Sequence, residues 1–194
     1  RKWLLQEYGG DVAKFAAAWN RPAPFNFSQA QVPTLLQRVP KKRGAFYDTD
    51  LQRQSLDYIR CDSQVILHRV LKLCQTVKEQ SENKLFTFAQ FGYFTESYLH
   101  KELQLALKNP YLDGMGPAPP YINRGPGDDI MDHGPAESIR QNGKVWLFQA
   151  DVRSHLADAH NWRYGRTHNE EESLAVYLRD LGHYMTTGTT PYYL

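Results

Sequence analysis

The sequence predicts a mainly α-helical protein: a central antiparallel helical hairpin, further helices at both ends, and a long Pro/Gly-rich irregular segment. Three observations carry this expectation. Between residues 49 and 80, Gln52, Leu56, Ile59, Ser63, Ile66, Val70, Leu73 and Val77 recur at alternating steps of four and three, a heptad-like stripe. After Ser81-Glu82-Asn83-Lys84, an apolar run spanning 87–107 passes through Phe88, Phe91, Phe94, Tyr98, Leu99, Leu103, Ala106 and Leu107. A connection that short makes the two helices antiparallel neighbours. From 109 to 143, six prolines alternate with six glycines, and that density of breakers leaves no regular element standing.

Taken in chain order, the first element covers 2–19 and is divided by Gly9-Gly10. Asp11 then caps a helix with Val12, Phe15, Ala16 and Trp19 on one face. Arg21-Pro22-Ala23-Pro24 cannot be helical, because each proline pushes its predecessor toward an extended shape. A short helix follows from Pro33 and is stopped by Pro40. In the long helix, Leu67, Leu71 and Cys74 widen the heptad stripe, so it packs on more than one neighbour. Order returns at Val145-Trp146-Leu147-Phe148, which reads either as a buried strand or, preferably, as the start of a helix running to 160 on Phe148, Val152, Leu156 and Ala159. The last helix opens with Asn169 and Glu172 in a capping-box-like spacing and carries Leu174, Tyr177, Leu178, Leu181 and Tyr184 as its apolar face. The tail after it is extended. The organisation is thus a helix and Pro-containing arm (1–47), the hairpin core (48–108), the Pro/Gly-rich loop (109–143), and C-terminal helices with an extended tail (144–194).

Composition narrows the function classes. With 41% hydrophobic and 23% charged residues the chain can build a core, which excludes wholesale disorder. A formal net charge of +2 is too small to argue for nucleic acid by itself. No apolar run approaches the 18 or so residues that span a bilayer. Cys61 and Cys74 lie in one helix about 20 Å apart, too far to bridge. They read as packing residues of a reduced compartment. The opening Arg1-Lys2-Trp3 fits either a processed presequence or a fragment.

Each candidate chemistry competes with a plainer explanation. On a helix, Asp151, His155 and Asp158 share one face, with His160 and His168 near in sequence, and carboxylate and imidazole suit zinc. The same spacing is what a solvated polar stripe needs, and no His-Glu-x-x-His or paired Cys-x-x-Cys motif supports a metal. Asp128-Asp129-Ile130-Met131-Asp132 lacks the spacing of a calcium loop and reads as an acidic loop. Gly125-Pro126-Gly127 lacks the Gly-Lys-Ser/Thr ending of a phosphate loop, and no Gly-x-Ser-x-Gly elbow is present. Lys41, Lys42 and Arg43 form a short basic run that, with Arg163, Tyr164 and Arg166, would give a salt-dependent RNA contact; a solvated loop accounts for it more simply.

Aromatics in irregular segments carry a different message. Tyr111, Tyr121, Trp162, Tyr164, Tyr192 and Tyr193, together with the basic run, are the expected partner-binding residues, since aromatics with a polar handle favour interfaces. Phe25, Phe27, Phe46 and Tyr47 belong to the same set unless those loops cover the protein's own helices. The resulting expectation is a non-catalytic structural or accessory subunit of a multi-subunit assembly, with a respiratory complex, ATP synthase or ribosome of mitochondria placed first and a cytoplasmic setting otherwise. Its partners are other protein subunits, and no cofactor is implied. The alternatives are a metal-dependent hydrolase or nuclease on Asp151, His155 and Asp158, and an RNA-binding module on the basic run.

Overall fold

A computed structural model describes residues 1–39, 47–90, 102–118, 121–130, 134–158 and 165–193. They form two compact units, Arg1–Ile66 and Leu67–Leu194, whose boundary falls inside one long helix.

The first unit contains α1 (Lys2–Glu7), α2 (Val12–Ala18), two single 3₁₀ turns and the opening half of α3 (Arg53–Gln80). Asp11 caps α2 as its position predicts, accepting from Lys14 N at 2.9 Å. Phe15 is the centre of this core. Its ring meets those of Tyr8, Trp19, Phe25 and Phe27 at centroid separations of 4.5–5.4 Å. Phe25 and Phe27 therefore pack on this unit's own helices. Asp57 of α3 is buried beneath the cluster and accepts from Tyr8 Oη (2.6 Å), Trp19 Nε1 (2.9 Å) and Arg53 Nε (2.9 Å).

The second unit corrects the predicted fold class. It is a four-stranded parallel sheet, not a helical hairpin. After α3 come β1 (Phe88–Gln90), α4 (Leu103–Lys108), β2 (Gly114–Gly116), α5 (Ala136–Gln141), β3 (Val145–Ala150), α6 (Glu170–Thr187) and β4 (Thr190–Tyr193). The sheet order is β1-β2-β3-β4, every pair parallel. The stretch 87–107 holds β1 and α4 in place of a second long helix; Phe91, Phe94, Tyr98 and Leu99 lie outside the described residues. The 109–143 stretch contains β2 and α5, and the helix expected over 145–160 is β3 followed by an irregular 151–158. A three-residue strand is too short to display a period of two, so Phe88 and its neighbours were indistinguishable from a helical face.

The packing shows which face of the sheet carries the helices. Ala89, Met115 and Trp146 join Leu67, Leu71 and Cys74 of α3, Ala106 of α4 and Ile139 of α5 in one buried cluster. Phe148 and Ala150 pack on Tyr184 of α6. Parallel strands in strictly sequential order, joined by crossovers of one hand, place all their helices on a single face. The alternate residues, Phe88, Gln90, Leu147, Gln149, Thr190 and Tyr192, point to the other face, where the described residues place no helix. Each strand is thus preceded by a helix on that face, in the order α3-β1-α4-β2-α5-β3-α6-β4.

The helices also pack differently from their sequence stripes. In the second half of α3, Leu67, Leu71, Cys74 and Lys78 are buried, while Leu73 (68% exposed) and Val77 of the heptad stripe face solvent. In α6 the buried residues are Ser173, Val176, Asp180 and Tyr184, and Leu174, Leu178, Leu181 and Met185 are exposed.

Candidate functional site

In sheets of this type, ligands and partners are met beyond the carboxyl ends of the strands. Three groups of side chains collect there or beside it.

The first lies on the open inner face. Position 116 has no side chain: a Cβ there would sit 1.4 Å from the backbone oxygen of Leu147. Gln90 therefore reaches across β2, and its Nε2 donates to Gln149 Oε1 at 2.6 Å. Tyr192 Oη donates to the same oxygen at 3.3 Å. The Phe88 and Tyr192 rings meet edge to face at 5.7 Å although their strands are the two outermost of the sheet. A flat sheet would hold those strands about 14 Å apart, so this one is rolled inward. The inner carboxyl rim is thus lined by neutral amides and a phenol.

A second group is charged and lies just beyond β3. Asp151 Oδ2 accepts from Tyr121 Oη (3.1 Å) and pairs with Arg153 Nη2 (3.2 Å). The Arg124 guanidinium stands 5.0 Å from the Tyr121 ring centroid. Burial lowers the Arg124 pKa, and Asp151 works against that shift. Asp180 of α6 receives Arg179 through Nη2 (2.6 Å) and Nε (2.8 Å). Burial pushes the Asp180 carboxyl up despite that partner. Arg179 Nη1 in turn donates to Gly125 O and Asp128 O, fastening the 121–130 loop to α6. The cavity within this cluster measures about 20 Å³, enough for one water-sized molecule and no larger ligand.

The third group includes His155. Its Nδ1 lies 2.8 Å from Ser173 Oγ, which also meets Thr167 Oγ1 at 2.6 Å and donates to Asn169 O. A serine beside a histidine invites comparison with an activated nucleophile. Here Ser173 is buried and its hydroxyl is engaged on several sides, so the contact ties the 151–158 segment to the start of α6.

Asp151, His155 and Asp158 are not one helix face, because the helix that would align them does not form. Asp151 is paired with Arg153, His155 with Ser173, and among the described residues no group of three His, Cys, Asp or Glu side chains could hold a metal. His160 lies outside the described residues, as do Lys41, Lys42, Arg43, Trp162, Arg163 and Tyr164. Arg166 donates to His155 O and Ala157 O and braces the same loop. Tyr111 packs against the main core, Tyr121 and Tyr192 join the two groups above, and Tyr193 is half exposed beside the Tyr177 ring. Burial raises the thiol pKa of both Cys61 and Cys74, which disfavours nucleophilic use.

At the opposite end of the strands the contacts hold the fold together. Lys78 Nζ lies 2.5 Å from Asp113 Oδ2, which also accepts from Thr87 N, and Lys144 Nζ donates to Asn109 O and Leu112 O. Burial pushes the Asp113 carboxyl up, but the Lys78 and Thr87 hydrogen bonds outweigh it and the net shift is downward.

The sequence singles out Tyr121, Asp151, His155 and Tyr192 but not Gln90, Gln149, Arg124, Arg179 or Asp180. The only signal for Gln149 was the strand alternative at Val145–Phe148. Comparison with protein-family models, with characterised proteins and with solved structures finds no match for this chain.

Proposed function

We propose that this chain is a non-catalytic component of a larger assembly, and that it engages its partner through the open flanks of the second unit. The observation that carries the reading is the inner face of the parallel sheet. All-parallel sheets occur almost only with both faces covered, yet among the described residues the helices cover one face alone. The exposed apolar stripes of α3 and α6 add to the surface that a partner would remove from water. The polar groups at the carboxyl end support the same reading, since Asp151 and Asp180 are engaged by arginines rather than presented to a substrate.

The test is the size of the native species. Tagged protein recovered from its own cells under gentle conditions is expected well above the 22.5 kDa of one chain. Recovery as a lone, stable monomer overturns the reading.

A further inference from the structure

We propose that Asn142 is a self-modifying residue: it converts to aspartate and isoaspartate through a cyclic imide, and the turn between α5 and β3 sets the rate. The inference goes beyond the assembly reading and does not rest on it.

The chemistry is intramolecular. Asn142-Gly143 is the one Asn-Gly pair of the sequence. The backbone nitrogen of Gly143 attacks Cγ, the side-chain carbonyl carbon of Asn142. A C–N bond forms, the Cγ–Nδ2 bond breaks, and the Gly143 nitrogen proton leaves with Nδ2 as ammonia. Water then opens the imide. At Cγ it restores the ordinary chain as aspartate; at the main-chain carbonyl carbon it reroutes the chain through Cγ, as isoaspartate. Water is the one other reagent, and both residues are exposed to it. Glycine matters here, because a Cβ on the attacking residue would crowd its nitrogen. The surroundings add no crowding of their own: nothing stands within 4 Å of where a Gly143 Cβ would be.

The turn opposes the reaction. Ring closure needs Gly143 N to swing round until it eclipses Cβ about the Cα–C bond of Asn142. At the observed ψ of 15° it nearly eclipses the Asn142 nitrogen instead. Three hydrogen bonds hold it there: Gly143 N donates to Arg140 O (2.9 Å), Lys144 N to Ile139 O (3.2 Å), and Asn142 Nδ2, the leaving group, to Ser138 O (2.8 Å). Both sides of the turn are anchored in turn. Ile139 has no exposed surface, and Lys144 Nζ grips Asn109 O and Leu112 O just before β2. The folded chain therefore holds the site unreacted until the end of α5 opens locally.

The product does not return to the same turn. A carboxylate at 142 only accepts, where Nδ2 donated, and it would face Ser138 O at the carbonyl end of α5. Isoaspartate also adds a backbone atom just ahead of the Val145–Gly114 pairing. Each conversion is a one-way mark left by an opening of this turn.

The test is to hold the purified chain in mildly alkaline buffer, with and without unfolding urea. Digestion, peptide masses and enzymatic methylation of isoaspartate then follow position 142. The unfolded chain should accumulate product at 142 at least about ten-fold faster than the folded one. Ile139→Val, which loosens the anchor without removing it, should speed the reaction of the folded chain and leave the rate in urea unchanged. Asn142→Gln, which would have to close a larger ring, should lose the product under both conditions. Equal rates with and without urea overturn the control by folding. A folded-state rate indifferent to Ile139→Val overturns the control by this turn. A chain unreacted at 142 even in urea overturns the site itself.

Discussion

Asp57 has no solvent-exposed side-chain surface and accepts hydrogen bonds from Tyr8, Trp19 and Arg53. Removing it strands three donors, one of them charged, so Asp57→Ala should lower the unfolding free energy by about 3–5 kcal/mol in denaturant titration. Asp57→Asn should cost less, since it keeps an acceptor. The same site makes stability depend on alkaline pH. Burial first, and the Asp57 hydrogen bond second, push the Tyr8 phenol up to about 12. The folded state holds that proton more tightly than the unfolded chain, where a phenol titrates near 10. The contribution is therefore complete below about pH 10 and lost as pH rises toward 12, an amount of roughly 2 kcal/mol. Between pH 9 and pH 11.5 the unfolding free energy of the parent protein should fall by about that much more than that of Tyr8→Phe; an equal fall in both would rule Tyr8 out.

At the scale of elements, the strands were the part hardest to read. The α1–α2 division, the Asp11 cap, the long α3 and the Asn169 cap of α6 were all legible, because capping and helical periodicity are local properties. Gly114-Met115-Gly116 looked like a breaker pair and is a central strand. Its glycines are there because neighbouring chain comes too close for a side chain, and proximity of distant residues leaves no local pattern. Gly116→Ala tests this. Its methyl would overlap Leu147 backbone, which cannot move aside like a flexible side chain, so β2 and β3 must separate. The expected loss is about 3 kcal/mol or more, with aggregation of the variant on expression. Apolar stripes were legible too, but not their destination. In α6 the buried line contains Ser173 and Asp180, whose polar atoms are satisfied by His155 and Arg179, while the leucines remain outside. Periodicity identifies an apolar face; it does not say which surface that face meets.

At the scale of the whole molecule, the expectation of a helical hairpin fails because two apolar segments near in sequence need not pair with each other. Strand order depends on which segments meet across crossovers, and the sequence marks that weakly when strands are three to six residues long. The candidate site suffered for the same reason. Gln90, Gln149 and Tyr192 come together only when the sheet rolls, and the Arg124–Asp151–Arg179–Asp180 group only when two loops converge on α6.

The bare inner surface of β2 has a mechanical side. A sheet whose outer strands carry phenyl and phenol groups, but whose second strand presents only hydrogen atoms, has a crease along that strand. Side chains elsewhere on the inner surface can exchange bulk with one another, because space lost at one position is regained opposite. At Gly116 no such exchange exists, because even a methyl would meet the Leu147 backbone rather than a movable side chain. The spacing of β2 and β3 is thus held at position 116 by what is missing from it.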